Sequence, residues 1–316
     1  MRKTCLDTVY DLAKEDPRIF FIGSDLGNGT LNEFRQEMPE RFFMEGVSEA
    51  NIIGIATGLA LEGKIPYVNT IATFLTRRCF EQLAVDVCLH DANVRLLGSG
   101  GGLVYAPLGP THLAIDDIAI LRALPRMTIV APADASEMRQ LICASRDYSG
   151  PIYIRMAKGG DPILTEQNEP FQIGPVFQMK EGRDALIVTT GVTLNIALQA
   201  ATQLEDEGIN AAVVHVPTVK PLDAETLIGL MDSVPAIVTI EEHSIIGGLG
   251  SAIAEVIAET DFRQRKCFKR IGIPDEFPDR YGSQADLLGH YGIHVQHLST
   301  TVRAIVNHSK PVAVAV

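Results

Sequence analysis

Cysteine is scarce in this chain of 316 residues and follows no pattern typical of a cross-link or a metal site. The five cysteines are odd in number and form no CxxC pair; they are Cys5, Cys79, Cys88, Cys143 and Cys267. Such spacing favours neither a disulfide framework nor a zinc knuckle. We therefore expect a reducing compartment.

Long apolar runs are also absent. No stretch reaches the roughly 18 uninterrupted apolar residues of a membrane-spanning helix, and the first residues, MRKTCLDTVYDLAKEDPR, lack the apolar core of a signal peptide. Basic residues are outnumbered, since 27 Lys and Arg face 39 Asp and Glu and the net charge is -12. A field of this sign repels nucleic acid and anionic membranes. The sequence predicts a cytoplasmic enzyme or enzyme subunit.

The remaining composition is that of a globular protein. Hydrophobic residues make up 46% and charged residues 21%, which excludes a disordered or collagen-like chain. At ~150 residues per domain, the length predicts about two domains. Short β-rich apolar runs alternate with segments of helical period, as in parallel sheets built from βα units. We therefore predict an α/β fold with two doubly wound, mostly parallel-sheet domains.

The alternation breaks at 158–175, where glycine, proline and polar residues concentrate. We place a linker at 161–180, between a first domain at 1–160 and a second at 181–316. In the first domain we predict strands at 18–23, 65–70, 93–98, 127–131 and 151–155, with helices near 3–15, 48–62, 73–90, 115–124 and 134–146. In the second we predict strands at 185–190, 211–216, 236–240 and 268–273, with helices at 193–207, 223–231 and 249–259 and two more thereafter.

The segment Met44–Leu61 is the most informative candidate for function. Ser48 is a suitable N-cap, and Gly54 and Gly58 then lie four residues apart on one face of an apolar helix. Since glycine destabilises a helix interior by ~1 kcal/mol relative to alanine, we expect close packing there, in the same chain or across a subunit interface. Glu49 places a carboxylate in the first turn, where it either complements the helix dipole or serves a site.

The next unit places Phe74 at a strand-to-helix turn. Its ring belongs either to the core or to a stacking platform for a flat cofactor. Arg77 follows, and its spacing of four from Glu81 also suits a solvated ion pair.

A glycine-rich loop, GSGGGLVYAPLGPTH at 98–112, follows a predicted strand. Its backbone can approach a ligand. However, Leu103 replaces the last glycine of GxGxxG and no Walker A motif occurs, so a dinucleotide fingerprint is not supported. His112 ends the loop, either as a substrate contact or as a structural histidine.

Basic residues mark two further places. Arg155 ends a predicted strand, where open α/β sheets bind ligands; its planar fork suits a phosphate, and a surface ion pair is the alternative. A basic cluster near the last predicted strand is interpreted as a solvated sheet edge rather than a nucleic-acid site. It comprises Arg263, Arg265, Lys266, Lys269 and Arg270.

Taken in order, these segments resemble the C-terminal portion of transketolase, its pyrimidine-binding domain followed by its C-terminal domain. The resemblance runs from Asp25-Leu26 through GVSEAN, TFLTRR, GPTH, ALPRMTIVAPADASE and YIR to EEHSIIGGLGSAIAE, and covers nearly the whole chain. 1-Deoxyxylulose-5-phosphate synthases and beta subunits of 2-oxo-acid dehydrogenases share parts of it. The chain is most similar to the beta-type subunit of split, two-subunit transketolases, because the GSGGGLVY…GPTH loop and the short length both match.

The resemblance implies a thiamine diphosphate-dependent transferase that moves a two-carbon ketol unit from a ketose phosphate to an aldose. Glu49 corresponds to the catalytic glutamate that hydrogen-bonds the aminopyrimidine ring, where a carboxyl group favours the imino tautomer. Phe74 corresponds to the ring stacked on the pyrimidine. Arg77 stands where the family has a further ring at the cofactor.

For the substrate, the resemblance assigns His112 to the sugar hydroxyls, and Arg155 and Arg2 to the phosphate. Two positions depart from the family: Leu108 replaces an acidic residue and Gly100 a histidine. Both changes remove polar contacts to the ketose donor. We therefore expect a modified, shorter or branched sugar.

The element GDG with a downstream Asn, by which thiamine enzymes hold the metal and the diphosphate, is missing. The resemblance therefore implies a separate N-terminal, PP-domain subunit that holds Mg²⁺ or Ca²⁺, in an α2β2 assembly, and no metal ligand in this chain. Two alternatives stay open. One is a 2-oxo-acid decarboxylating beta subunit or a 1-deoxyxylulose-5-phosphate synthase-like enzyme, and the other is a non-catalytic assembly subunit.

Overall fold

The computed structural model describes residues 1–24, 31–165 and 171–309. They form two α/β domains, each built around a mostly parallel sheet with a hydrophobic core on either side. The α/β prediction with two domains is confirmed. Asp25 and Leu26 lie outside the described residues. Within these residues, no helix combines the length and the apolar character needed to cross a membrane.

The first sheet has seven strands, in the order β10-β5-β6-β4-β3-β1-β2, where β10 is Thr218–Lys220. Its parallel strands are β1 (Ile19–Gly23), β2 (Phe42–Met44), β3 (Ile65–Ile71), β4 (Arg95–Ser99), β5 (Thr128–Val130) and β6 (Ile152–Met156). β3, β4 and β6 are buried along their whole length, which explains their continuous apolar runs. The carboxyl ends of these strands meet at one edge of the sheet.

Two layers of helices cover this sheet. They are α1 (Arg2–Glu15), α2 (Asn32–Glu37), α3 (Glu49–Leu61), α4 (Ala72–Arg77), α5 (Phe80–Gln82), α6 (Asp117–Arg122) and α7 (Ala135–Ser145). The predicted helix at 73–90 is three pieces, because α4 ends at Arg77 and α5 continues into a π-helical stretch, Leu83–Cys88.

The second sheet has the order β12-β11-β8-β9-β7. Its strands are β7 (Phe177–Lys180), β8 (Ala185–Thr189), β9 (Ala211–His215), β11 (Ala236–Ser244) and β12 (Cys267–Ile273), and β7 alone runs antiparallel to its neighbour. The helices are α8 (Thr193–Asp206), α9 (Ala224–Asp232), α10 (Leu249–Glu259), α11 (Gln284–His290) and α12 (Val295–Ser309).

The strand β10 (Thr218–Lys220) departs from the predicted domain division. It follows β9 in the chain but pairs antiparallel with β5, at the edge of the first sheet. The predicted linker at 161–180 likewise contains β7, which belongs to the second sheet. β2, β7 and β10 have three or four residues each and were not predicted, because such short strands show no period of their own.

Asp134 fastens the start of the linker to the first domain. Its carboxylate caps α7 by accepting from the N–H groups of Ser136 and Glu137, and it also accepts from the N–H groups of Leu164 and Thr165. Burial alone would raise the pKa of Asp134, but these hydrogen bonds, together with that of the Thr165 hydroxyl, lower it overall. The ionised carboxylate therefore stabilises the folded chain.

Replacing this carboxylate by an amide tests the cap. Asp134→Asn is expected to lower the free energy of unfolding by about 1–3 kcal/mol at neutral pH, because an NH₂ group then faces backbone N–H donors. Since the folded pKa lies below the unfolded value, the stabilisation is full above about pH 4 and is lost as the pH falls below it. Urea unfolding from about pH 7 to pH 3 measures the difference between wild type and variant.

Asp206→Asn is the control, because Asp206 is exposed at the end of α8. A difference for Asp134→Asn that stays constant at acid pH would contradict the proposed role of the ionised cap.

Candidate active site

Glu49 begins α3 and is 3% exposed. The buried side chains of Ile52, Ile53 and Ala56 anchor the same helix in the core on one side of the first sheet. Glu49 Oε2 accepts a hydrogen bond from Arg78 Nη1 at 3.0 Å. Ser48 occupies the N-cap position, but its hydroxyl donates to the Glu45 carbonyl instead of capping the helix.

Phe74 lies in α4, directly after β3, and its ring is half-buried. The guanidinium carbon of Arg78 lies 4.1 Å from the ring centroid. The imidazole of His112 meets the ring edge-on, with 5.1 Å between centroids. Glu49, Phe74 and His112, all predicted from the sequence, therefore form one cluster with Arg78.

Arg78 was not among the predicted site residues. The available signal was its position four residues after Phe74, which places both side chains on one side of a helical turn. That spacing does not reveal that the guanidinium also reaches Glu49, because the two are 29 residues apart in the chain.

His112 ends a short 3-10 turn, Pro110–His112, and is half-buried. Its Nδ1 forms a hydrogen bond with Thr111 Oγ1 at 2.9 Å, and the tautomer decides which atom donates. Among the described residues Nε2 has no hydrogen-bond partner. This nitrogen is therefore free to contact a substrate group.

Arg77 forms its hydrogen bonds with the segment that follows His112, and its assignment to the cofactor stays a prediction. Its Nε donates to Asp116 Oδ2 at 2.9 Å and its Nη2 to the Leu113 carbonyl at 3.2 Å. Arg77 does not form the expected ion pair with Glu81, because its guanidinium bonds instead to Asp116 and Leu113, which are far from it in the sequence. Arg77 braces the segment that follows His112, and it also lines a cavity of about 300 Å³ between the domains.

Arg155 is 8% exposed, and its guanidinium bonds to groups of the protein itself. Its Nε donates to Asp117 Oδ2 at 2.8 Å, and its Nη2 donates to the carbonyls of Ala114 and Glu242. Burial alone would lower the pKa of Arg155, but Asp117 outweighs it and the pKa is raised. Arg155 forms a buried ion pair with Asp117 and not the surface ion pair that was the alternative from the sequence, while its contact with a substrate phosphate stays a prediction.

The exposed cation at the end of β6 is Lys158, three residues beyond Arg155. Arg2 begins α1 and is half-exposed. A Cβ built on Gly159 would lie 2.9 Å from the backbone nitrogen of Met1, so the start of α1 adjoins the loop that leaves β6. Arg2 and Lys158 therefore lie on neighbouring segments.

The glycine-rich loop packs against the protein's own side chains. A Cβ on Gly101 would lie 2.5 Å from Cγ of Arg155, and one on Gly102 would lie 2.6 Å from Cδ of Glu242. Gly100 faces the ring of Tyr105 in the same way. At these three positions the missing side chain makes room for other side chains of the protein, and the expectation that this backbone approaches a ligand stays a prediction.

Glu242, near the end of β11, holds one arm of this loop against the second domain. Its Oε1 accepts from the N–H of Leu103 at 2.7 Å and from Gln284 Nε2 at 2.9 Å. The Gly102 and Ala114 backbones bond to each other, which joins the two arms. Burial raises the pKa of Glu242 against the opposing effect of Arg155. The second domain therefore holds the segment that carries His112.

Each of the two domains matches a known family description. The family description "Transketolase, pyrimidine binding domain" matches residues 1–160, and "Transketolase, C-terminal domain" matches residues 174–298. The chain belongs to the transketolase family.

Two relatives and one solved structure resemble this transketolase-family chain over nearly its whole length. An apulose-4-phosphate transketolase subunit of Phocaeicola vulgatus is 36% identical, covering 96% of this chain and 97% of that protein. The 6-deoxy-6-sulfo-D-fructose transketolase subunit SqwH of Clostridium sp. is 36% identical, covering 90% and 91%. A structure described as "Split gene transketolase, inactive beta4 tetramer" superimposes with a TM-score of 0.87 at 35% identity, covering 98% of each chain.

Removing the Glu242 carboxylate from this transketolase-family chain tests the coupling between the domains. Glu242→Ala is expected to speed amide hydrogen exchange at 100–115 and to destabilise the fold by about 1–3 kcal/mol, because it leaves the buried Leu103 N–H without an acceptor. Exchange mass spectrometry and thermal unfolding measure both effects.

Glu255→Ala is the matched control, since Glu255 is an exposed carboxylate whose partner is Arg122. Equal exchange at 100–115 in both variants would show that Glu242 does not hold the loop.

Proposed function

We propose that this chain is the beta-type subunit of a split transketolase and that it forms the pyrimidine side of a thiamine diphosphate site. The observation that carries the proposal is the buried Glu49 beside Phe74 and His112. Glu49 Oε1 makes no hydrogen bond within the described residues, so the carboxyl group is able to exchange a proton with a ring nitrogen. Half-buried Phe74 offers a flat apolar surface to an aromatic ring. These residues fit the aminopyrimidine half of the cofactor.

When bound, thiamine diphosphate supplies the centre that stabilises a carbanion. The chain's own residues bind and orient the cofactor and the substrate. Glu49 holds the proton at the pyrimidine nitrogen, and Phe74 sets the plane of the ring. His112, through Nε2, hydrogen-bonds a sugar hydroxyl. Arg78 is 45% exposed and lies over the ring of Phe74. We expect its side chain to move towards solvent when the cofactor ring stacks on the face of Phe74 that Arg78 covers.

The partner subunit is the second part of the proposal. The sequence lacks GDG with a downstream Asn, so we assign the diphosphate and its Mg²⁺ or Ca²⁺ to a second, PP-domain polypeptide. Gly54 and Gly58 of α3 are exposed, and a Cβ built on either would meet no described atom within 4 Å. The close packing expected there is therefore not supplied by the described part of this chain, which supports a subunit interface, as does the resemblance to a beta-subunit assembly.

We propose that the substrate is a ketose that carries an anionic group and whose sugar is modified, shortened or branched. Leu108 is 51% exposed and supplies no polar contact. Two relatives are named for apulose 4-phosphate and for a sulfonated deoxyfructose. Because Arg155 is buried, we assign the anionic group to Lys158 and Arg2, which lie on neighbouring segments at the end of β6.

Glu49→Gln tests the role of the carboxyl group. In the complex with the PP-domain partner, ketol transfer is expected to fall by about 10²–10⁴-fold, because an amide does not move the proton. Circular dichroism and thermal unfolding should stay unchanged. Glu62→Gln, at the exposed far end of α3, is the control. A Glu49→Gln complex with wild-type activity would contradict the proposal.

The division of the site between subunits is tested by reconstitution. The chain alone is expected to show no ketol transfer, and addition of a chain with GDG and a downstream Asn should restore it, because only the pair supplies both halves of the cofactor site. Turnover of xylulose 5-phosphate and ribose 5-phosphate, and of their modified analogues, measures this.

Full activity without the partner would overturn the division between subunits. Decarboxylation of pyruvate faster than cleavage of any ketose would favour the 2-oxo-acid alternative instead, and a partner complex that binds thiamine diphosphate yet transforms neither would favour an assembly role.

A further inference from the structure

A groove of about 890 Å³ lies between β12 and α12 in the second domain. β12 is the edge strand of its sheet. Residues 265–271, which comprise β12 up to Ile271 and the two residues before it, line the groove on one side, and among them Arg265, Cys267 and Lys269 alternate onto one face of the extended chain. On the other side, residues along one face of α12, from His297 to His308, line the groove. None of these residues belongs to the cluster around Glu49.

The groove is basic although the protein is acidic. Among the described residues no Asp or Glu lines it, while the whole chain has a net charge of -12. Arg265 and Lys269 are exposed and form no ion pair or hydrogen bond with any described residue. Their neighbours Lys266 and Arg270 instead donate to backbone carbonyls of the same domain. Two free cations therefore face one open space.

The cations lie towards opposite ends of the groove. Arg265 and Lys269 are four residues apart, or roughly 13 Å along an extended chain. Arg303 of α12 pairs with Glu207 after the end of α8, and Gln296 contacts Gln203 one turn earlier, so the two helices run in the same direction. α8 runs antiparallel to β8, and β8 and β12 are parallel strands of one sheet. Because α12 is parallel to α8, it runs antiparallel to β12, so His308 lies near the end of the groove where Arg265 lies.

Between these ends the floor is mostly apolar, although Thr300 and Thr301 also line it. Cys267, Ala304 and Ile305 line it. Apolar walls with a few placed polar groups, in a volume of about 300–1,000 Å³, are typical of small-molecule sites. Arginine suits phosphate through its planar fork, and lysine binds it as a point charge. The groove thus combines anion contacts with a surface for an organic body.

We propose that the groove between β12 and α12 is a binding site for a phosphorylated organic anion, of the nucleotide or sugar phosphate class. The proposal does not depend on the thiamine site. The sequence alone favoured a solvated sheet edge here, because α12 lies some thirty residues further on and its pairing with β12 is a tertiary contact.

Titration calorimetry with ATP, ribose 5-phosphate and pyrophosphate, on the full chain, tests this site. At least one of the two organic phosphates is expected to bind saturably, and which one binds identifies the ligand class. The double variant Arg265→Gln/Lys269→Gln should weaken that binding by about tenfold or more, because two charged donors are lost. Arg263→Gln is the control, since Arg263 is exposed, pairs with Asp232 and lies outside the groove.

Cysteine alkylation gives a second readout that needs no variant. The bound phosphate should slow the reaction of iodoacetamide with Cys267 in the groove but not with the exposed Cys143. Several results would overturn the proposal: no saturable binding of either organic phosphate, undiminished binding in the double variant, equal alkylation of Cys267 with and without ligand, or pyrophosphate binding as tightly as both organic compounds.

Discussion

The buried ion pair between Arg155 and Asp117 constrains the rest of this structure. Two charges removed from water are stable only when their remaining donors and acceptors are also satisfied. Tyr153 donates to Asp117 Oδ2 at 2.7 Å, and the carbonyls of Ala114 and Glu242 accept from Arg155. Since Glu242 belongs to the second domain, the pair is complete only when the two domains are docked.

The same pair organises the loop that carries His112. Ala114 is held from one side by Arg155 and from the other by Gly102, whose missing side chain leaves room for Glu242. On either side of Ala114, Arg77 holds Asp116 and the Leu113 carbonyl. The second domain of this transketolase-family chain thus acts on the candidate site through the backbone, without contributing a side chain to the cluster around Glu49.

Much of the fold was predictable from the sequence. The central strands of both sheets are continuous apolar runs, so their positions follow from composition alone, and most of the predicted ends agree with the structure within two residues. β11 is longer than predicted because its last residues, including Glu242, are polar yet buried at the domain junction. β10 was missed because its three residues gain their pairing from β5, in the other domain.

The sequence by itself determined the two α/β domains and the family, and it singled out Glu49, Phe74 and His112, which the structure brings together. Helical period, apolar runs and motifs are properties of short segments, and parallel strands bring their ends together. Only the tertiary structure decided which partner each charged side chain takes. Arg155 meets Asp117 across 38 residues and Glu242 across 87, and no local pattern predicts that these contacts bury it at the domain junction.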